Sequence, residues 1–181
     1  MNPMPLALRA AVPHDAAALE ALVNSAYRGE SSKAGWTTEA DLLGGQRVDQ
    51  AGLRDAMLRG ATRGDVVILV HEDAAGLAAC VQLEPSGTGC YLGMLTTRPT
   101  SQGSGLGRRV LAAAEQHARE RFGTLEMSMT VIVQRTELIA WYERRGYRRT
   151  GEYKPFPYGD PRFGEPRRPD LRFEVLRKPL A

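Results

Sequence analysis

Cysteine, histidine, lysine and long apolar runs are all scarce in this chain, and each shortage excludes something. Two cysteines in 181 residues cannot build a disulfide scaffold, and their rarity fits a reducing, cytoplasmic compartment. The longest purely aliphatic run, Val66–Val70, is far too short to span a bilayer. The segment from Met1 to Ala11 has no apolar stretch of the kind a secretory signal needs. The three histidines, His14, His71 and His117, are scattered, and no Cys, His or acidic spacing resembles a metal site, so no metal is expected. There is no Gly-x-Ser-x-Gly turn, which leaves serine-hydrolase chemistry without support.

What is present reads as an ordinary globular domain. Hydrophobic residues make up 43% and charged residues 25% of the chain, a balance that argues against disorder. The length predicts one domain over residues 1–181 with enough buried surface for a real core. The formal net charge is +3, but residues 141–181 hold 11 basic and 6 acidic side chains, whereas residues 1–140 hold 13 and 15. The basic end could attract an anion. Its charges are interleaved with acids and form no polybasic run, so a solvated surface is expected rather than a nucleic-acid interface.

Hydrophobic periodicity gives a mixed α/β (α+β) chain of about seven strands and four helices. Leu6–Ala11 reads as a strand, and a helix follows from Pro13-His14-Asp15, with Leu19, Leu22, Val23 and Ala26 on one face. Residues 28–45 form a polar insert with room for a helical turn near 38–43. Asp49–Arg59 reads as a helix closed by Gly60. Val66–Val70, Leu77–Leu83 and Cys90–Thr97 are strands. A hairpin pairing Glu84 with Cys90 would set Cys80 opposite Met94 and hold the two cysteines on the order of 13 Å apart, too far for a bridge. A long helix ends near Phe122 at Gly123. Leu125–Val133 is a strand, Glu137–Arg145 a helix, Tyr147–Phe156 a strand, 157–169 a proline-rich loop, and Leu171–Leu176 a closing strand.

The segment that carries chemistry is the glycine-rich turn Gln102-Gly103-Ser104-Gly105-Leu106-Gly107-Arg108, which opens the long helix. The N–H groups at a helix start have no internal partner and, with the helix dipole, form an anion site. Glycine permits close approach of a phosphate and positive φ. A phosphate ligand is therefore expected. It is not the triphosphate of a P-loop enzyme, because Arg108 stands where that motif has lysine. Nor is it a dinucleotide on a G-x-G-x-x-G turn, because the sixth position is Arg108 counted from Gly103 and Val110 counted from Gly105.

The spacing Gln102-x-x-Gly105-x-Gly107, preceded by Leu95-Thr96-Thr97 and Pro99, resembles the GNAT superfamily of N-acetyltransferases, which carries Q/R-x-x-G-x-G/A between its fourth strand and the next helix. Ala140-Trp141-Tyr142-Glu143-Arg144-Arg145-Gly146-Tyr147 is similar to the family's A-x-x-L-Y-x-x-x-G-F segment. The resemblance implies a mostly antiparallel sheet splayed between the fourth and fifth strands. It implies acetyl-CoA as co-substrate, with its arm along Leu95, Thr96 and Thr97 and its pyrophosphate on Gln102, Gly103, Ser104, Gly105, Leu106, Gly107 and Arg108. It also implies direct attack by a primary amine, with the thioester carbonyl polarised by a backbone N–H near residue 96 and Tyr142 protonating the leaving sulfur.

Two positions depart from the family. Arg135 stands where Asn is frequent, seven residues before Tyr142, and Tyr91 lies where some members have a glutamate base. Glu84 and Glu30 are the candidate bases. The Arg28–Trp36 part of the insert and the Tyr153–Arg168 loop are expected to wall the acceptor pocket, with Arg28, Trp36, Tyr153 and Tyr158 toward substrate. Tyr27, Phe156 and Phe163 would add aromatic wall, and Arg162, Arg167 and Arg168 would clamp an anionic group on a small amine. The resemblance leaves room for a homodimer. The competing function is a CoA-binding regulatory module that has lost catalysis, which Arg135 and the missing base would allow.

Overall fold

The structure, a computed structural model, describes residues 6–180. Its elements run β1 (Arg9–Ala10), α1 (Ala16–Tyr27), α2 (Gly29–Ser32), β2 (Leu43–Gly44), α3 (Gln50–Arg63), β3 (Val67–Asp73), β4 (Gly76–Ser86), β5 (Gly89–Thr97), α4 (Leu106–Phe122), β6 (Glu126–Ile132), α5 (Thr136–Glu143), β7 (Arg148–Pro155), β8 (Glu165–Pro166) and β9 (Arg172–Pro179). Seven strands make one sheet in the order β1-β3-β4-β5-β6-β9-β7, antiparallel except for the β5–β6 pair. The mixed, mostly antiparallel architecture is the one the sequence led us to expect. A separate two-stranded piece, β2 with β8, was not legible in it.

Alternation along β3 assigns the two faces of the sheet. Ile68 and Val70 point into a cluster with Leu19, Leu22 and Val23 of α1 and Leu53 and Met57 of α3. Leu69 points the other way, into the larger cluster with Val110, Leu111 and Ala114 of α4 and Ile139 of α5. Residues 78–81 of β4 are buried without alternation, because that central strand is covered on both faces. A third, smaller cluster of Leu43, Ile132, Phe156 and Leu171 anchors the insert and the 157–171 loop. The Arg167 N–H donates to the Leu42 carbonyl at 2.9 Å there.

Several boundaries differ from the sequence reading. Only Arg9–Ala10 of the Leu6–Ala11 segment pairs as a strand. Helix α3 does not stop at Gly60. It starts on Asp49, whose Oδ1 accepts the Gly52 N–H at 2.7 Å, and runs on to Arg63 before Gly64 ends it at φ 67°. Gly60 is there for another reason: a Cβ would stand 2.3 Å from the Val66 carbonyl oxygen. The hairpin register is also shifted. Glu84 pairs with Tyr91, Pro85 with Cys90, and Cys80 with Thr96 rather than Met94. Both cysteines are free and buried, as expected.

The register shift positions the site. Between Cys80 and Gln82 the partner strand runs from Thr96 to Gly93, so β5 carries one extra residue. Within it Met94 takes φ 53°, the only positive φ outside glycine among the described residues. Such a bulge bends its strand and strengthens the local twist. Beyond it β5 leaves its other neighbour. The parallel ladder with β6 covers only Gly89–Tyr91 against Glu126–Ser128, and the rest of the two strands stands apart as an open wedge.

Candidate active site

Helix α4 rises from a turn in which Gly103 and Gly105 both have φ 83°. No atom lies within 4 Å of where a Cβ would stand at either position, so the space beside the turn is open. The first bond of the helix runs from the Arg109 N–H to the Gly105 carbonyl at 3.2 Å. The N–H groups of Leu106, Gly107 and Arg108 therefore have no partner within the helix. Ser104 Oγ donates to the Ser101 carbonyl at 2.6 Å and closes the turn. This is a cradle that an anion of phosphate size fits.

From the cradle a narrow channel of about 70 Å³ passes Thr97, Gln102 and Gly107 on one side and Trp36 and Thr37 on the other. The insert forms its roof. Gln102 Oε1 accepts the Trp36 N–H at 3.0 Å, and Gly35 is pressed so close that a Cβ would fall 2.2 Å from that oxygen. Trp36 lies 6.3 Å from Trp141 of α5, ring to ring, and the Arg145 guanidinium stacks 3.6 Å over Trp141.

A larger cleft of about 410 Å³ fills the wedge between residues 91–95 of β5 and residues 129–132 of β6. Channel and cleft share five lining residues: Tyr27, Leu95, Arg135, Leu138 and Tyr142. These mark the junction between them. The Tyr27 hydroxyl donates to the Leu95 carbonyl at 2.9 Å. Tyr142 is buried, with its ring edge-on to Trp141 at 5.0 Å and to Tyr147 at 5.6 Å. Burial raises the Tyr142 phenol well above its ordinary value. At the narrow end of the wedge, Tyr91 Oη and Thr130 Oγ1 are 2.8 Å apart, which ties the strands together just past the last ladder pair.

Beside the junction lies a buried ion cluster. Glu39 accepts from Arg28 through one oxygen and from Arg135 through the other, the latter at 2.9 Å. Arg135 also donates to Thr37 Oγ1 at 2.9 Å. Desolvation lowers the Arg28 pKa, against the pull of Glu39. The Nε atoms of Arg28 and Arg135 are buried and have no hydrogen-bond partner. The residue expected to mark a departure thus holds the insert against the start of α5.

The sequence-selected residues divide clearly. Leu95, Thr96, Thr97, Gln102, Gly107 and Trp36 line the channel, and Gly103, Ser104, Gly105, Leu106 and Arg108 form the turn beside it. Tyr27, Arg28, Phe156 and Phe163 line the cleft. Glu84 does not; it lines a separate groove and accepts from Gln82 Nε2 at 2.6 Å. Glu30 lies on the surface, paired with Lys33. Tyr153 is exposed beneath the Arg172 guanidinium at 4.0 Å. Tyr158 bridges the Arg168 carbonyl and the Leu171 N–H, each at 2.8 Å. The loop arginines are engaged locally, Arg162 by Asp160 and Arg168 by Asp170, and Arg167 packs beside Gly44. The sequence reading missed Glu39, Arg47, Thr130 and Lys154. No spacing flags them, because three distant segments bring them together.

Among the described residues no group of three or more His, Cys, Asp or Glu is placed to hold a metal ion, and no helix is long and apolar enough to cross a membrane.

No curated protein matches the chain by sequence. Solved structures match it closely in fold. Spermidine N-acetyltransferase from Vibrio cholerae, in complex with CoA and spermine, superposes with a TM-score of 0.70 at 16% identity over 98% of this chain and 96% of that one. A ribosomal-protein-alanine N-acetyltransferase from Brucella melitensis gives 0.69 at 20% identity over 97% and 100%. The sequence profile of the acetyltransferase (GNAT) family matches residues 18–147. With most of its length under that profile, the chain belongs to the GNAT family and is an acetyl-CoA-dependent N-acetyltransferase.

Proposed function

We propose that the protein transfers the acetyl group of acetyl-CoA to a primary amine of a small molecule, by direct attack with both substrates bound. The observation that carries this reading is the junction at Tyr142, where a channel leading from the anion cradle opens into a separate cleft. A two-substrate transfer needs two approaches meeting at one reacting centre.

The amides at Gly103–Arg108 would hold the pyrophosphate, and the Leu95–Thr97 edge, which β6 leaves unpaired, would align the arm beneath the Trp36 roof. When bound, acetyl-CoA supplies the acetyl thioester. A backbone N–H near residue 96 polarises the thioester carbonyl. The new C–N bond forms as the C–S bond breaks, the sulfur takes a proton from Tyr142, and the nitrogen loses one to solvent. Burial keeps Tyr142 neutral, so it enters the reaction as a hydrogen-bond donor to the developing negative charge.

The attacking amine must be neutral. Among the described residues Glu39 is the only carboxylate lining the cleft, and two arginines already occupy it. Water reaching the cleft would carry the proton away. The surrounding cations favour this, because like charges disfavour an ammonium. Against the reading as an impaired module stands Arg135, whose guanidinium is engaged by Glu39 and Thr37 while Tyr142 remains at the junction.

Thiol release from acetyl-CoA over a panel of primary amines tests the reading, together with calorimetric binding of acetyl-CoA. Amine-dependent release well above hydrolysis is expected. Binding without release for any amine would instead favour the module.

A further inference from the structure

We propose that the acceptor amine carries an anionic group, received by Arg47 and Lys154. The inference rests on the acetyltransferase reading and concerns which amine the cleft takes.

The charged side chains lining the cleft are Arg28, Glu39, Arg47, Arg135 and Lys154. Glu39 is already shared between two buried arginines, each left with a buried, unpartnered Nε. Arg47 is only half-exposed and has no carboxylate within ion-pair distance among the described residues. Its guanidinium stands 5.6 Å from the centre of the Tyr27 ring. Tyr27 in turn reaches the Leu95 carbonyl at the junction. Lys154, at the end of β7 on the rim, is likewise without a carboxylate partner among the described residues. One carboxylate against four cations leaves an excess of three positive charges, with Arg28 and Arg135 buried, Arg47 half-exposed and Lys154 exposed at the rim.

A half-buried guanidinium without a counter-ion is costly, and an anionic ligand removes that cost. A polycation would meet a net excess of three positive charges instead. The remaining walls are largely apolar, with Leu43, Met129, Val131, Phe156, Phe163 and Phe173. The occupant that fits is an amine joined by a short body to a carboxylate or phosphate. An amino acid with an apolar side chain has all three parts. The loop arginines 162, 167 and 168, expected from sequence to form the clamp, are not among the residues lining this cleft.

The test uses matched pairs of acceptors on the full chain with acetyl-CoA: L-phenylalanine against phenethylamine, and 2-aminoethyl phosphate against ethanolamine, with spermidine as the polycation. At least one member bearing the anionic group should exceed its partner lacking that group tenfold or more in kcat/KM, and the favoured pair tells carboxylate from phosphate. Spermidine should be the poorest acceptor. Arg47→Gln and, separately, Lys154→Met should each shrink the favoured ratio by raising KM for the anionic member. Calorimetric binding of acetyl-CoA to each variant reports that it is folded. Equal use of both members in both pairs, a preference for spermidine, or ratios untouched by both substitutions would overturn the proposal. So would a protein that binds acetyl-CoA yet acetylates no anionic amine. Failure to bind acetyl-CoA at all would overturn the acetyltransferase reading, and this proposal with it.

Discussion

Glu39 and Arg135 lie 96 residues apart in sequence and share a hydrogen bond of 2.9 Å in the interior. With Arg28 on the other oxygen, Glu39 pairs with two buried guanidinium groups and fixes the insert to the start of α5. The roof of the channel depends on that attachment, since Thr37 is bonded to Arg135 and Trp36 is the next residue back.

Glu39→Ala removes the shared carboxylate and leaves two buried cations without it. Breaking a buried pair from one side costs about 3–5 kcal/mol, and a loss in that range is expected in urea or guanidinium unfolding. A loss below about 1 kcal/mol would put the cluster among exposed ion pairs.

Gly105→Glu should abolish acetyl-CoA binding in calorimetry. The site has open space, so bulk alone is tolerated by the protein. The new side chain would place a like charge beside the pyrophosphate, and φ 83° adds backbone strain of roughly 1–2 kcal/mol for a residue with a Cβ. Gly105→Ala carries the strain without the charge and should bind more weakly than the parent but measurably. Equal binding by the glutamate variant and the parent would remove the cradle from the ligand site.

Tyr142→Phe keeps the ring and deletes the proton donor. A fall in kcat of about 10- to 10³-fold is expected, with acetyl-CoA affinity little changed. The pH profile supplies a second reading. Burial disfavours the phenolate, so the donor form persists to higher pH than that of a free phenol, whose value is near 10. The parent enzyme should therefore show no alkaline loss of kcat from this group below pH 10. Parent-level turnover in the variant, with chemistry rate-limiting, would end the role.

Gly60→Ala should destabilise the fold although alanine is the better helix former by about 1 kcal/mol. The added Cβ would stand 2.3 Å from the carbonyl oxygen of Val66, a backbone atom just before β3 that cannot swing aside as a side chain would. A net loss of about 1–3 kcal/mol is expected in chemical unfolding. A stabilised variant would mean that α3 shifts without penalty.

What the sequence determined by itself was local. Helix stops such as Gly123, the hairpin turn after Glu84, the aliphatic strand at Val66–Val70, and the turn from Gln102 to Gly107 all follow from backbone freedom and hydrophobic pattern within a few residues. Gly60 was misread because a glycine inside a helix looks like a stop until the neighbouring strand that presses on it is known. The bulge at Met94 left no trace in composition, since it is a property of how two strands register, and it opens the wedge that becomes the cleft. The electrostatics of the acceptor side were decided by tertiary structure alone. The arginines that looked free in the 153–168 loop found local partners or packed elsewhere, whereas Arg47 and Lys154, unremarkable in the text, were brought to one cavity from opposite ends of the chain. Whether a charge is free depends on what lies within a few ångströms in space, and that is fixed only when distant segments meet.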